Sequence, residues 1–123
     1  MSTQDEGPEY VEFTHPQGNL IARVLVPSVG QAEAPHIRER VAQELARAGQ
    51  GKVFVLDLSQ VSLLSSMGLG VCVDLRTLAE KKGLRPVLFG MNRHLEDLFK
   101  LMRIERLFQV VHGQQALDQM LGS

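Results

Sequence analysis

A single cysteine, Cys72, excludes an internal disulfide, and the chain has no tryptophan and one tyrosine, Tyr10. No apolar run approaches the roughly 20 residues that a spanning helix needs, so a membrane role would have to be peripheral. An excess of charge of either sign is missing too. With 13 Lys and Arg against 14 Asp and Glu, the formal net charge is -1, which argues against a nucleic-acid footprint or a membrane-attracting surface and for a protein or small-molecule partner. His15, His36, His94 and His112 are widely spaced, with no His-x-x-x-His and no Cys pair, so no metal and no cofactor are expected. The first residues carry Asp5, Glu6 and Glu9 instead of a basic then apolar leader, and the expected location is cytoplasmic.

What is present suits one packed domain: 123 residues, 44% of them apolar and 22% charged. Residues 1–9, with Gly7 and Pro8, read as a flexible tail, and residues 10–123 as a single domain. Tyr10 to Thr14 and Leu20 to Val26 have strand composition around the turn signal Pro16-Gln17-Gly18-Asn19, which predicts a hairpin. Pro27 to Gly30 reads as turn. Ile37, Val41, Leu45 and Ala48 then share one helix face, and Gly49 and Gly51 stop that helix.

The run Val53-Phe54-Val55-Leu56 is apolar at every position, as in a central strand covered on both faces. Gly68, Val71, Cys72, Leu75, Leu78 and Ala79 form the buried stripe of a helix ending near Lys82, closed by Gly83. Pro86 to Phe89 is the next strand. Asn92 caps a third helix whose apolar face is Leu95, Leu98, Phe99 and Met102. A strand at Phe108 to Val111 and a last helix over Gly113 to Leu121, packing Ala116, Leu117, Met120 and Leu121, complete the pattern. Strands separated by helices imply crossovers, hence an α/β fold with a small mixed, largely parallel sheet and about four helices.

In such sheets the loops leaving the carboxyl ends of strands carry function. The segment Asp57 to Gly70 is one, and it places Ser66 at a helix N-terminus, where unpaired N–H groups and the macrodipole favour a capping hydroxyl or a phosphate. Ser65 and Ser66 are therefore caps or a switch site. Asp57, at a strand end, fixes the following turn, serves as a catalytic or phosphoacceptor carboxylate, or belongs to an interface with Ser59, the turn role being favoured; Met67, Leu69 and Val73 are candidates for an apolar contact surface. Leu69 and Val73 could equally widen the core stripe. Gly68-Leu69-Gly70 lacks a full dinucleotide fingerprint and the lysine of a P-loop, and tight helix packing accounts for both glycines. With no nucleophile-base pair or acid pair in sight, catalysis is not expected.

The strand and loop Val55-Leu56-Asp57-Leu58-Ser59-Gln60-Val61, the helix start Ser65-Ser66-Met67-Gly68-Leu69-Gly70, the segment Leu98 to Phe108, and Gln115-Ala116-Leu117 together resemble the STAS domain of bacterial anti-sigma factor antagonists. The resemblance implies a binding module that engages a kinase-type anti-sigma factor through the serine loop. It further implies release by phosphorylation of Ser66 and restoration by a cognate phosphatase. Partner contacts would involve Asp57, Ser59, Ser65, Ser66, Met67, Leu69 and Val73.

The chain also departs from the family's pattern. Ser65 stands where the family often has Asp, and Val26-Pro27-Ser28-Val29-Gly30 replaces its usual Gly-Glu-Leu-Asp. Arg103 stands where a glycine usually ends the third helix. A STAS domain that is not phosphorylated and serves as a scaffold or interaction subunit of a signalling or transport complex is the alternative.

Overall fold

The computed structural model describes residues 9–49 and 51–122. Residues 1–8, most of the expected tail, lie outside that range. Five strands form the main sheet in the order β1-β2-β4-β6-β7: β1 (Val11–Thr14), β2 (Leu20–Val24), β4 (Val53–Asp57), β6 (Arg85–Phe89) and β7 (Gln109–Val111). Only β1 and β2 pair antiparallel, joined through the 3-10 turn Pro16–Gly18; the other neighbours are parallel. The apolar run of β4 is buried at all of its positions and lies in the middle of the sheet.

Side-chain alternation along the strands builds two cores, one on each face of the sheet. Phe54, Leu56 and Leu88 point to the side covered by α1 (Ala34–Ala46), α2 (Ser66–Lys81) and α3 (Arg93–Leu101). Val53, Val55, Val87, Phe89 and Val111 point to the other side, where Leu117 and Leu121 of α4 (Gln114–Gly122) cover them. Each of α1, α2 and α3 connects one parallel strand to the next, and right-handed crossovers put all three on one side. Asn19 fastens the second core at its base: its Oδ1 accepts the N–H groups of Lys52 (2.8 Å) and Val53 (2.9 Å), and its Nδ2 donates to the carbonyl of Leu121 (3.5 Å).

Three expectations change. Ser28–Val29 is a strand, β3, which pairs in parallel with β5 (Leu63–Leu64); two-residue strands carry no periodicity to read. Met102, expected on the buried face of the third helix, is that helix's C-cap and is 54% exposed, because the chain turns away at Arg103. Ala116 is exposed, and α4 buries only Leu117 and Leu121 fully, as a helix lying on one sheet face does.

Candidate functional site

The carboxyl end of β4 sets the site. Asp57, the strand's last residue, is 2% exposed, and its Oδ1 accepts both the backbone N–H (2.9 Å) and the hydroxyl (2.6 Å) of Ser59. Its Oδ2 accepts from Arg23 Nε at 3.1 Å across the β2–β4 pairing, and Arg23 reaches on to Glu12 at 3.5 Å. Burying a carboxylate requires such partners. This spends the carboxylate on the turn, so the expected interface role of Asp57 is corrected to support of Ser59. Beneath Ser59 lies Gly90, whose φ of +81° suits glycine and whose missing Cβ leaves room: a Cβ there would stand 2.7 Å from that of Ser59.

The loop then returns alongside β3. Pro27 O accepts from Ser62 N (2.7 Å) and Leu63 N (3.1 Å), and Val29 O accepts from Ser65 N (3.0 Å). So held, Ser65 takes extended backbone angles and caps α2, its hydroxyl accepting the N–H of Gly68 at 3.1 Å. Gly68 must be small: a Cβ would stand 3.1 Å from Leu64 Cδ2 and 3.3 Å from Val29 O. Packing does not account for Gly70, whose Cβ would meet nothing within 4 Å; that expectation holds for Gly68 alone.

Ser66 is the first residue of α2 and is exposed, and Met67 beside it is 43% exposed. Val73, two turns along on the face of Ser66, is half-buried. Leu69, for which the sequence leaves contact surface and core stripe equally open, is 7% exposed and belongs to the main core, which corrects its candidacy as a partner contact. The reason is that α2 packs against α1, β5 and β6, so its apolar stripe is wider than one layer below it would require. The structure thus gathers Ser65, Ser66 and Met67 on the first turn of α2. Ser59 lies at the far end of the same loop, and Leu63, 52% exposed, lies between them.

Residues not singled out in the sequence complete the surroundings. Arg23 and Gly90 act through Asp57 and Ser59, while Arg38 of α1 pairs with Asp74 of α2 at 3.1 Å across a shallow groove beside Met67 and Gly70. Their partners are 34 to 36 positions away in sequence for Arg23 and Arg38, a proximity only strand order and helix packing create. Cys72 is buried, and loss of solvation pushes its thiol up to about 12, against a smaller opposing effect of a backbone hydrogen bond. Among the described residues, no group of three or more His, Cys, Asp or Glu side chains is placed to hold a metal ion.

A STAS domain family model matches residues 10–119. The chain belongs to the STAS domain family. The anti-sigma-B factor antagonist of Listeria monocytogenes is 31% identical over 90 residues, 73% of this chain and 75% of that protein. Among solved structures, an anti-sigma-factor antagonist (STAS) domain protein from Planctomyces limnophilus superposes with a TM-score of 0.79 at 11% identity, covering 90% of this chain and 96% of the other. The phosphorylated form of the Bacillus cell fate determinant SpoIIAA gives 0.67 at 13% identity, covering 89% and 98%. These structural likenesses establish the STAS fold, with its mixed, mostly parallel sheet and four helices. Among the described residues no helix is long and apolar enough to cross a membrane.

Proposed function

We propose that this STAS domain is an anti-sigma factor antagonist, a binding protein without catalysis of its own, which docks a kinase-type anti-sigma factor over the first turn of α2 and is released when that partner phosphorylates Ser66. The observation that carries the switch is the contrast between adjacent hydroxyls: Ser65 is occupied as the cap, and Ser66 is exposed at the first helical position. The Listeria relative's description as an anti-sigma-B factor antagonist supports the choice of partner.

An unmodified Ser66 lets an apolar partner surface close over Met67 and Leu63, with Ser59, Ser65 and the half-buried Val73 at the margins. A phosphate adds about -1.5 to -2 charges, which the helix N-terminus stabilises in the free domain and a closely apposed surface would have to desolvate. Both effects favour release. A coupling of about 1–3 kcal/mol corresponds to a fall in affinity of about 5- to 150-fold. A cognate phosphatase would reverse it.

Titrating a kinase-type anti-sigma factor with wild type, Ser66→Ala and Ser66→Asp tests the mechanism. The Ala variant is expected to bind like the wild type and the Asp variant more weakly; equal binding by the two variants would remove the charge mechanism. The second reading, a scaffold that is never phosphorylated, is favoured by Ser65 standing where the family often has Asp. Mass spectrometry of the protein from its own cell separates the two readings.

A further inference from the structure

The near-zero net charge conceals a segregation that only the fold creates. In a parallel sheet each crossover helix ends where the next strand begins, so the C-termini of α1, α2 and α3 gather with the N-termini of β4, β6 and β7 at the end opposite Ser66. Hydrogen bonds join these pieces: Arg85 N to Lys52 O (2.9 Å), Lys82 Nζ to Ala46 O (3.3 Å) and Arg85 Nη1 to Gln109 Oε1 (3.4 Å).

Away from this end, Arg23, Arg38, Arg40, Arg76 and Arg93 each stand within 4.0 Å of a carboxylate. At this end, among the described residues, Arg47 alone of the Lys and Arg side chains has such a partner, Glu44 at 3.6 Å, and the rest reverse the pattern. The entries to β4 and β6 supply Lys52, Lys81, Lys82 and Arg85, and the exit of α3 supplies Lys100, Arg103 and Arg106. All are exposed, and among the described residues none has a carboxylate partner within ion-pair distance. The nearby acids are fewer and mostly taken: Glu44 by His15 and Arg47, Glu80 by Arg76, leaving Glu105. Favourable charge at helix C-termini accounts for Lys81, Lys82, Lys100 and Arg103, and Arg106 lies in the last turn of the 3-10 helix Glu105–Leu107, but it does not account for Lys52 and Arg85 at the entries to β4 and β6.

Within this cationic field stand two large apolar side chains, Leu101 at 78% and Met102 at 54% exposure, between Lys100 and Arg103. Arg103, with φ of +59°, turns the chain directly after them. Projecting aliphatic groups ringed by unpaired cations fit an anionic lipid surface, where the apolar groups enter the headgroup region and the cations meet the surface potential. A nucleic acid would leave those aliphatic groups unused, and no aromatic side chain is among the exposed large hydrophobics to stack on bases.

We propose that this end of the domain docks on the anionic headgroup surface of a phospholipid bilayer, Leu101 and Met102 entering between headgroups while the Ser66 end faces away. The inference is independent of the anti-sigma reading.

Flotation of the full chain with phosphatidylglycerol-containing vesicles, phosphatidylcholine vesicles and, as a separate arm, duplex DNA is the test. Binding is expected to the first only, released by salt. At about fivefold per cation, Lys81→Gln/Lys82→Gln/Lys100→Gln should weaken it on the order of 100-fold. Leu101→Ser/Met102→Ser should weaken it at least severalfold, with the thermal transition of each variant confirming the fold. Failure to float with anionic vesicles, equal flotation with neutral ones, or wild-type flotation by the Leu101/Met102 variant would overturn the proposal. Comparable retention on DNA would do the same.

Discussion

Ser65 Oγ accepts the backbone N–H of Gly68 at 3.1 Å, which makes Ser65 the residue that starts α2 and frees its neighbour from that duty. Removing a serine cap costs about 1 kcal/mol, whereas an exposed first-turn hydroxyl that caps nothing costs little. Ser65→Ala is therefore expected to lower the urea midpoint clearly and Ser66→Ala to leave it nearly unchanged. The reverse order would mean that the two hydroxyls have been assigned the wrong way round.

Arg103 holds φ at +59°, a left-handed conformation that costs a side-chain-bearing residue on the order of 1 kcal/mol and glycine almost nothing. Arg103→Gly should accordingly raise thermal stability, by up to about 1 kcal/mol less the extra entropy glycine loses on folding. A loss of stability would show that the guanidinium makes a contact worth more than the backbone strain.

Gly90 combines a φ of +81° with backbone and side-chain atoms of Ser59 that a Cβ would approach to 2.7–3.2 Å. Gly90→Ala is expected to destabilise by about 2 kcal/mol or more, since relief requires moving the turn that Asp57 fixes. Chemical denaturation measures the cost, and a variant as stable as the wild type would show that the Ser59 turn yields freely.

Cys72 is buried, with its thiol pushed up to about 12 by lost solvation, so almost no thiolate exists near neutral pH. Alkylation by iodoacetamide should be very slow in the native protein and fast in urea. Rapid native labelling would show that α2 opens locally and often.

Much of this fold is legible in the sequence because long elements repeat their signal. The unbroken apolar run of β4 marks it as central, and the stripe from Gly68 to Ala79 defines α2 over about three turns. Asn92 caps α3 as its type suggests, with Oδ1 accepting Leu95 N at 2.7 Å. What escapes is set by distant partners. The β3–β5 pair exists only because Ser28 and Leu63 meet across 35 residues, and the burial of Leu69 depends on neighbours that no helical period encodes.

The site divides in the same way. The loop and its serines are visible from chain order, but the assignment of the cap to Ser65 and of the Asp57 carboxylate to Ser59 and Arg23 needs coordinates. Net charge misleads most, because a sum over the chain cannot show that the cations without partners collect at one end.

Asn19 joins the beginning of the sheet to its last helix: one side chain grips the start of β4 and the carbonyl of Leu121. During synthesis from the N-terminus, the face formed by Val53, Val55 and Val87 stays uncovered until Leu117 and Leu121 have left the ribosome. A chain stalled or truncated before Leu117 would display that bare apolar wall, a natural target for chaperones and proteases policing incomplete products.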